Sequence, residues 1–330
     1  LLGRLPAPRP LRPPLRLLKV VGSYYFAVLE YAVLLLPLAD IAYGLSRLAG
    51  MPASASGRFA LIAGSVIAAA LLVLLAVGSR NAWSPVVRRH TLHVDKSAGS
   101  AKSLRVAVAS DLHLGNVVGN RHLRRLVSAV NALKPDVILL AGDVLDDSIE
   151  PFVRNRMSET MKRLEARDGI YAVLGNHEYY GGDIADYVRR MDEIGIRVLQ
   201  DETVDIGGAY SIAGRKDRTA ESMDPGGRLS VPALLANVDV SRPVILMDHQ
   251  PHGFGAAAEA GVDLLLSGHT HRGQFAPNHW VTRRLFELDW GYVRKGLMHV
   301  VVSSGFGTWG PPIRLASRSE IVAIELQFRS

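Results

Sequence analysis

The chain contains no cysteine in 330 residues. That excludes thiolate catalysis, Cys-ligated zinc and disulfide bonds together, although it assigns no compartment. Charged residues are sparse, 21% against 48% hydrophobic, which is apolar for a soluble enzyme. No internal repeat and no sustained heptad pattern occurs, so neither a solenoid nor a coiled coil is expected. The formal net charge is +7, yet the basic residues form no stripe interleaved with aromatics, and no nucleic-acid partner is expected. Much of the positive charge lies in the first residues and around Arg88 and Arg89. That placement suits anionic lipid at a membrane surface.

The apolar excess sits at the front of the chain. Residues 1–20 are a basic, Pro-rich tail whose prolines argue against a continuous helix. Residues 21–80 hold two apolar stretches, 21–39 and 59–77, joined by a short connection over 40–58. Each approaches the roughly 20 residues that cross a bilayer. Glu30 in the first stretch would face a partner helix, because a carboxyl group in lipid is costly; a pair of buried core helices is the alternative. Neither stretch precedes a small-residue cleavage site, which argues against a removable signal. Arg4, Arg9, Arg12, Arg16 and Lys19 precede the first stretch, and Arg80, Arg88 and Arg89 follow the second. Only Arg47 and Arg58 lie between them. The positive-inside bias therefore puts the N-terminus and the following domain on the cytoplasmic side. Residues 81–103 read as a polar linker and 104–330 as the catalytic domain.

From residue 104 short apolar runs alternate with helix-like segments, and strand-like segments dominate later, as in a layered α/β sandwich with a mixed sheet or two sheets. The runs 104–109, 136–141, 170–174, 243–247 and 262–266 each end in a polar, Gly-rich or acidic cluster. In order, the clusters hold Asp111 and His113, then Asp143, then Asn176 and His177, then His249, then His269 and His271. A lone Asp-X-His or Gly-Asp arises readily by chance or in turns. All of them in order, each at a strand end, gather the oxygen and nitrogen donors that divalent cations want. There are more donors than one tetrahedral ion could use, so two ions sharing a carboxylate are expected. The carboxyl ends of strands are also where open α/β sheets hold ligands. His252, His279 and His299 lack such company and read as surface or structural residues.

These clusters, with the longer matches GNHEYY over 175–180, GHTHRGQ over 268–274 and SGFGTWGPPIR over 304–314, resemble the calcineurin-like metallophosphoesterases. Within them the chain is similar to a bacterial membrane-associated phosphodiesterase branch, some members of which cleave the pyrophosphate of a lipid-linked nucleotide. The resemblance implies a four-layer α/β/β/α sandwich, here preceded by transmembrane helices. It implies one metal held by Asp111, His113, Asp143 and His271, and a second held by Asp143, Asn176, His249 and His269, with Asp143 bridging. Manganese, iron and zinc all fit that donor set. The implied reaction is hydrolysis of a phosphodiester or pyrophosphate bond by metal-activated hydroxide. His177 would protonate the leaving oxygen or stabilise developing charge. Arg272 is a candidate phosphate contact, with a solvated loop arginine as the equal alternative; Arg314 has a weaker claim, and Asp146 and Asp147 read as a helix-start or supporting pair. The expected substrate is a phosphorylated lipid-linked or small molecule at a membrane, with no obligate protein partner. An anchored phosphomonoesterase, an anchored phosphodiesterase for soluble nucleotides and an inert binding module with the same fold remain the alternatives.

Overall fold

The computed structural model describes residues 12–329. The first part of the expected Pro-rich tail, with Arg4 and Arg9, lies outside the described residues. Two long helices open the chain, α1 (Arg12–Leu48) and α2 (Ser56–Trp83). The helix therefore starts inside the expected tail. Pro13 and Pro14 fall in its first turn, where a missing N–H breaks no intrahelical bond. The expected connection shrinks to the turn between Leu48 and Ser56. Both helices are long and apolar enough to cross a membrane. Large apolar side chains such as Phe26, Val33, Leu61 and Leu72 are exposed along them, which a pair of buried core helices would not show.

Two mixed six-stranded sheets follow. The strands are β1 (Val86–Val94), β2 (Ser103–Ala109), β3 (Val137–Ala141), β4 (Ile170–Val173), β5 (Ile196–Leu199), β6 (Glu202–Ile206), β7 (Tyr210–Gly214), β8 (Val244–Met247), β9 (Leu264–Ser267), β10 (Gly291–Lys295), β11 (Met298–Val302) and β12 (Glu320–Phe328). The helices are α3 (Asn120–Ala132), α4 (Glu150–Arg154), α5 (Met157–Met161), α6 (Asn176–Gly181), α7 (Ile184–Asp192), α8 (Ala220–Met223), α9 (Val231–Leu234), α10 (Phe254–Glu259) and α11 (His279–Leu285). One sheet runs β1-β12-β2-β3-β4-β5 and the other β10-β11-β9-β8-β7-β6. Strands β2 to β5 are mutually parallel, as are β7, β8, β9 and β11.

The period-2 alternation of a strand builds the layers. In β3, Ile138 and Leu140 pack under α3, α5 and α7 with Leu126, Met161 and Met191. The intervening Val137, Leu139 and Ala141 face the second sheet with Val106, Ile245 and Leu266. On the far side Leu246, Leu265 and Val300 meet Leu234 and Phe254 from α9 and α10. The result is the expected α/β/β/α order. Parallel strands buried on both faces need continuous apolar runs, and those runs are what made them visible in the sequence.

One segment differs from expectation. Residues 86–94, read as linker, form β1 and pair in parallel with β12. Its Leu92 and Val94 are buried while Arg89, Thr91 and His93 on the opposite face are exposed, so the one-sided burial of an edge strand read as polarity. Only residues 95–102 remain as a connection. Helices α4 and α5 are separated at Arg156, which adopts a left-handed conformation with φ 49°. Replacing Leu139, fully buried between the sheets, with Ala should cost roughly 2–5 kcal/mol in chemical unfolding of the detergent-solubilised protein. Leu61→Ala, at a position 75% exposed on α2, should leave the domain's unfolding midpoint unchanged.

Candidate metal centre

Five of the parallel strands deliver the donors. β2 ends two residues before Asp111, β3 two before Asp143, β4 three before Asn176, β8 two before His249 and β9 two before His269. Asp111, His113, Asp143, His269 and His271 all have positive φ, between 45° and 71°. Each such residue costs about 1–3 kcal/mol and persists only where its surroundings enforce it. The close approach also demands glycine. A Cβ at Gly268 would stand 2.3 Å from Asp111 Oδ2, and one at Gly175 would stand 2.1 Å from Asp143 Oδ1.

The side chains converge in two groups. Asp111, His113 and His271 form one, and Asp143, His249 and His269 the other, with donor atoms inside each group within 4.8 Å of one another. His113 Nε2 lies 2.9 Å from His271 Nε2, and His271 Nε2 lies 3.6 Å from Asp111 Oδ1. Asn176 Oδ1 joins the second group, 2.8 Å from His269 Nδ1. Asp143 Oδ2 stands between the groups, 3.1 Å from His249 Nε2 and 3.9 Å from His113 Nε2. The backbone sets the carboxylates: His177 N–H donates to Asp143 Oδ1 at 2.9 Å, and His269 N–H donates to Asp111 Oδ1 at 2.8 Å. His249 Nδ1 is 2.8 Å from the Ala141 carbonyl. A proton on Nδ1 makes that hydrogen bond and leaves Nε2 free to coordinate.

These residues fit a pair of divalent cations. Asp111 Oδ2 and His249 Nε2 are buried without a hydrogen-bond partner; the approach of His249 to Asp143 is close but poorly aligned for a hydrogen bond. Buried polar atoms left open in this way are costly unless something charged meets them. The electrostatics agree. Burial pushes Asp111 up to about 6 and His113 and His269 down to about 4. Burial, with the charges of His113 and Arg314, holds His271 well below its ordinary value. These imidazoles are thus neutral at physiological pH, the form that binds metal. For Asp143, burial opposes ionisation, but the charge of His249 3.1 Å away overrides it and keeps the carboxyl ionised. For His249, burial opposes a charge and the Asp143 carboxylate overrides it, raising the imidazole well above its ordinary value. The site demands positive charge at His249 Nε2, which a proton or a metal cation can supply.

Three residues surround the donors in ways the sequence left open. His177 Nδ1 lies 2.6 Å from Asp147 Oδ1. Burial lowers its basicity, but the bond to Asp147 and the charges of Asp143, Asp147 and Asp146 lift it to about 9. Asp146 forms a third donor group with His113 and His177 and accepts from Lys19 Nζ of α1 at 3.2 Å. Arg314 is fully buried; its Nη2 lies 3.2 Å from His271 Nδ1 and donates to the Gly307 carbonyl at 2.7 Å. No local pattern could have revealed either contact, since the partners are far apart in sequence. Arg272, next to His271 in sequence, has a ring partner outside the three donor groups. Its guanidinium lies 4.1 Å from the Trp290 ring centroid, a cation–π contact.

A family model described as calcineurin-like phosphoesterase matches residues 104–273. A protein described as "Transmembrane protein with metallophosphoesterase domain" from Danio rerio is 33% identical over 285 residues, covering 83% of this chain and 64% of that protein. Its namesake from Bos taurus is 34% identical over 269 residues, covering 77% and 60% respectively. An uncharacterised metallophosphoesterase from Aquifex aeolicus is 33% identical over 247 residues, covering 73% of this chain and 91% of its own length. The chain therefore spans under two thirds of the two transmembrane relatives but nearly all of the third. Gly268→Ala, by driving a Cβ into Asp111, should sharply reduce metal retained through purification, measured by elemental analysis. Full retention would mean that Asp111 is not a ligand.

Proposed function

The chain belongs to the calcineurin-like phosphoesterase family, and on that premise we propose that it is a membrane-anchored two-metal phosphoric ester hydrolase cleaving a phosphodiester or pyrophosphate bond, with a lipid-linked substrate. The observation that carries the reading is the Asp143 carboxylate, ionised and buried, standing between two groups of nitrogen and oxygen donors. Asp111, His113, Asp143 and His271 would hold one ion, and Asp143, Asn176, His249 and His269 the other. An anionic bridge offsets two dications better than a neutral ligand does. Manganese, iron and zinc suit the donors.

When bound, the pair of ions polarises the phosphoryl group and provides a water-derived nucleophile near neutral pH. The chain's own residues do the rest. His177, raised by Asp147 and neighbouring carboxylates, carries a proton that it can give to the leaving oxygen or hold as charge stabilisation. Asp147, on the far nitrogen, orients the ring so that Nε2 is the working atom. Arg314 braces the His271 ring from behind. Arg272, engaged with Trp290, has a weaker claim on substrate phosphate than its position beside His271 suggested.

The two exposed apolar helices support a multi-pass anchor, as does the transmembrane description of the two vertebrate relatives. The charge bias around them favours a cytoplasmic catalytic domain. Because the chain has no cysteine, a single Lys162→Cys variant reports the side directly. Impermeant maleimide should label it only after the cells are opened; labelling in intact cells would reverse the orientation.

Chelation should abolish hydrolysis and manganese or another transition ion should restore it. Asp143→Ala should lose both metal and turnover. His177→Ala should keep most metal yet lose about 10²-fold or more in kcat; loss of metal in parallel would make His177 a ligand or a structural residue. A lipid-linked pyrophosphate should be turned over with much higher kcat/KM than a soluble diester of the same head group. Near-equal values would favour an anchored enzyme for soluble nucleotides, and a phosphomonoester preference would favour a phosphomonoesterase.

A further inference from the structure

A cavity of about 800 Å³ lies between α1 and the catalytic domain, within the range of small-molecule sites. One wall is a stripe of α1. Leu18, Gly22, Phe26 and Glu30 recur every four residues and so share a helix face. The opposite wall is Val117 and Phe275 together with the loop after β11 that carries Trp309 and Pro311. The helix is pinned there by polar contacts. Tyr31 Oη donates to the Ala276 carbonyl at 2.7 Å, Asn278 Nδ2 donates to Glu30 Oε1 at 2.9 Å, and Arg16 Nε donates to the Asn116 carbonyl at 2.9 Å. The gap is therefore held open by two fixed walls, and Gly22 leaves room in the middle: a Cβ there would meet nothing within 4 Å.

The cavity joins two environments. Its inner lining includes Asp146, whose carboxylate groups with His113 and His177, and Trp309, whose ring centroid lies 6.3 Å from that of His177. Its outer lining includes Leu18 and Phe26, 55% and 65% exposed on a helix long and apolar enough to cross a membrane. An aliphatic chain matches the apolar walls, and a phosphate at the inner end would sit beside His177 and within reach of Lys19, which otherwise pairs with Asp146.

We propose that this cavity is the site for the hydrocarbon chain of the substrate lipid, so that the substrate slides from the bilayer along α1 and delivers its phosphate sideways to the metal centre. The proposal rests on the reading of the centre as a phosphoesterase and deepens it: α1 is part of the substrate site as well as an anchor. Substrate choice would then depend on chain length as much as on head group.

The test uses the full chain in nanodiscs, with Gly22→Ala, Gly22→Leu and Gly22→Trp filling the cavity by steps. The probes are a nucleoside diphosphate linked to diacylglycerol, with short and long acyl chains, and bis(p-nitrophenyl) phosphate as the soluble diester. Expected is a stepwise fall in kcat/KM for the long-chain lipid, reaching about tenfold or more with Trp, the discrimination that an apolar pocket makes for a single methylene. The short-chain lipid should suffer less and the soluble diester should be unaffected, which also certifies that each variant is folded and loaded with metal. A parallel fall on all probes, or no fall on the long-chain lipid, would overturn the proposal. So would an unmodified protein that cleaves the soluble diester and ignores the lipid, and in that case the phosphoesterase reading stands. If neither probe is cleaved, the phosphoesterase reading falls. A long-chain lipid carrying a diazirine at the chain end decides the cavity independently: crosslinks to peptides containing Phe26 or Phe275 support it, and their absence refutes it.

Discussion

One buried charge organises the site. Asp143 is almost wholly inside the protein, and an isolated carboxylate there would cost several kcal/mol. It stays ionised because imidazoles and a backbone N–H face it from several elements: His249 after β8, His113 after β2 and the amide of His177 at the head of α6. Those elements belong to both sheets, so meeting the charge requires the two sheets to pack with their parallel-strand ends on one rim. The left-handed backbone at Asp111, His113, Asp143, His269 and His271 and the glycines that admit these side chains follow from the same demand. That backbone gives up stability locally, and the three apolar layers compensate.

Much of this architecture was legible because a doubly buried parallel strand must be continuously apolar. The runs ending before Asp111, Asp143, Asn176, His249 and His269 could hardly be anything else, and their order along the chain located the donors. Legibility failed where burial was one-sided. Strand β1 carries four consecutive polar residues, Arg88 to Thr91, and buries only Leu92 and Val94, and β6 and β10 are edge strands with no fully buried side chain. All three draw their identity from a neighbour supplied by the fold. The break between α4 and α5 depends on one left-handed residue, Arg156, for which helix periodicity has no signal.

Contacts between distant segments were the other loss. Lys19 to Asp146, Arg314 to His271 and Arg272 over Trp290 each change the meaning of a residue. Arg272 seemed well placed beside His271, yet the left-handed turn at φ 53° directs it to an indole. Arg314 seemed peripheral and is buried against a donor imidazole. The Lys19 contact has the widest consequence, because it ties the first apolar helix to the rim of the candidate metal centre.

The central claim is that Asp143 joins two metal ions. Crystals of the full chain grown with manganese and measured at the manganese absorption edge test it most directly. The account predicts two anomalous peaks about 3.5–4 Å apart, one beside Asp111, His113 and His271, the other beside Asn176, His249 and His269, with the Asp143 carboxylate in contact with both. A single peak, or two peaks of which only one touches Asp143, would contradict it.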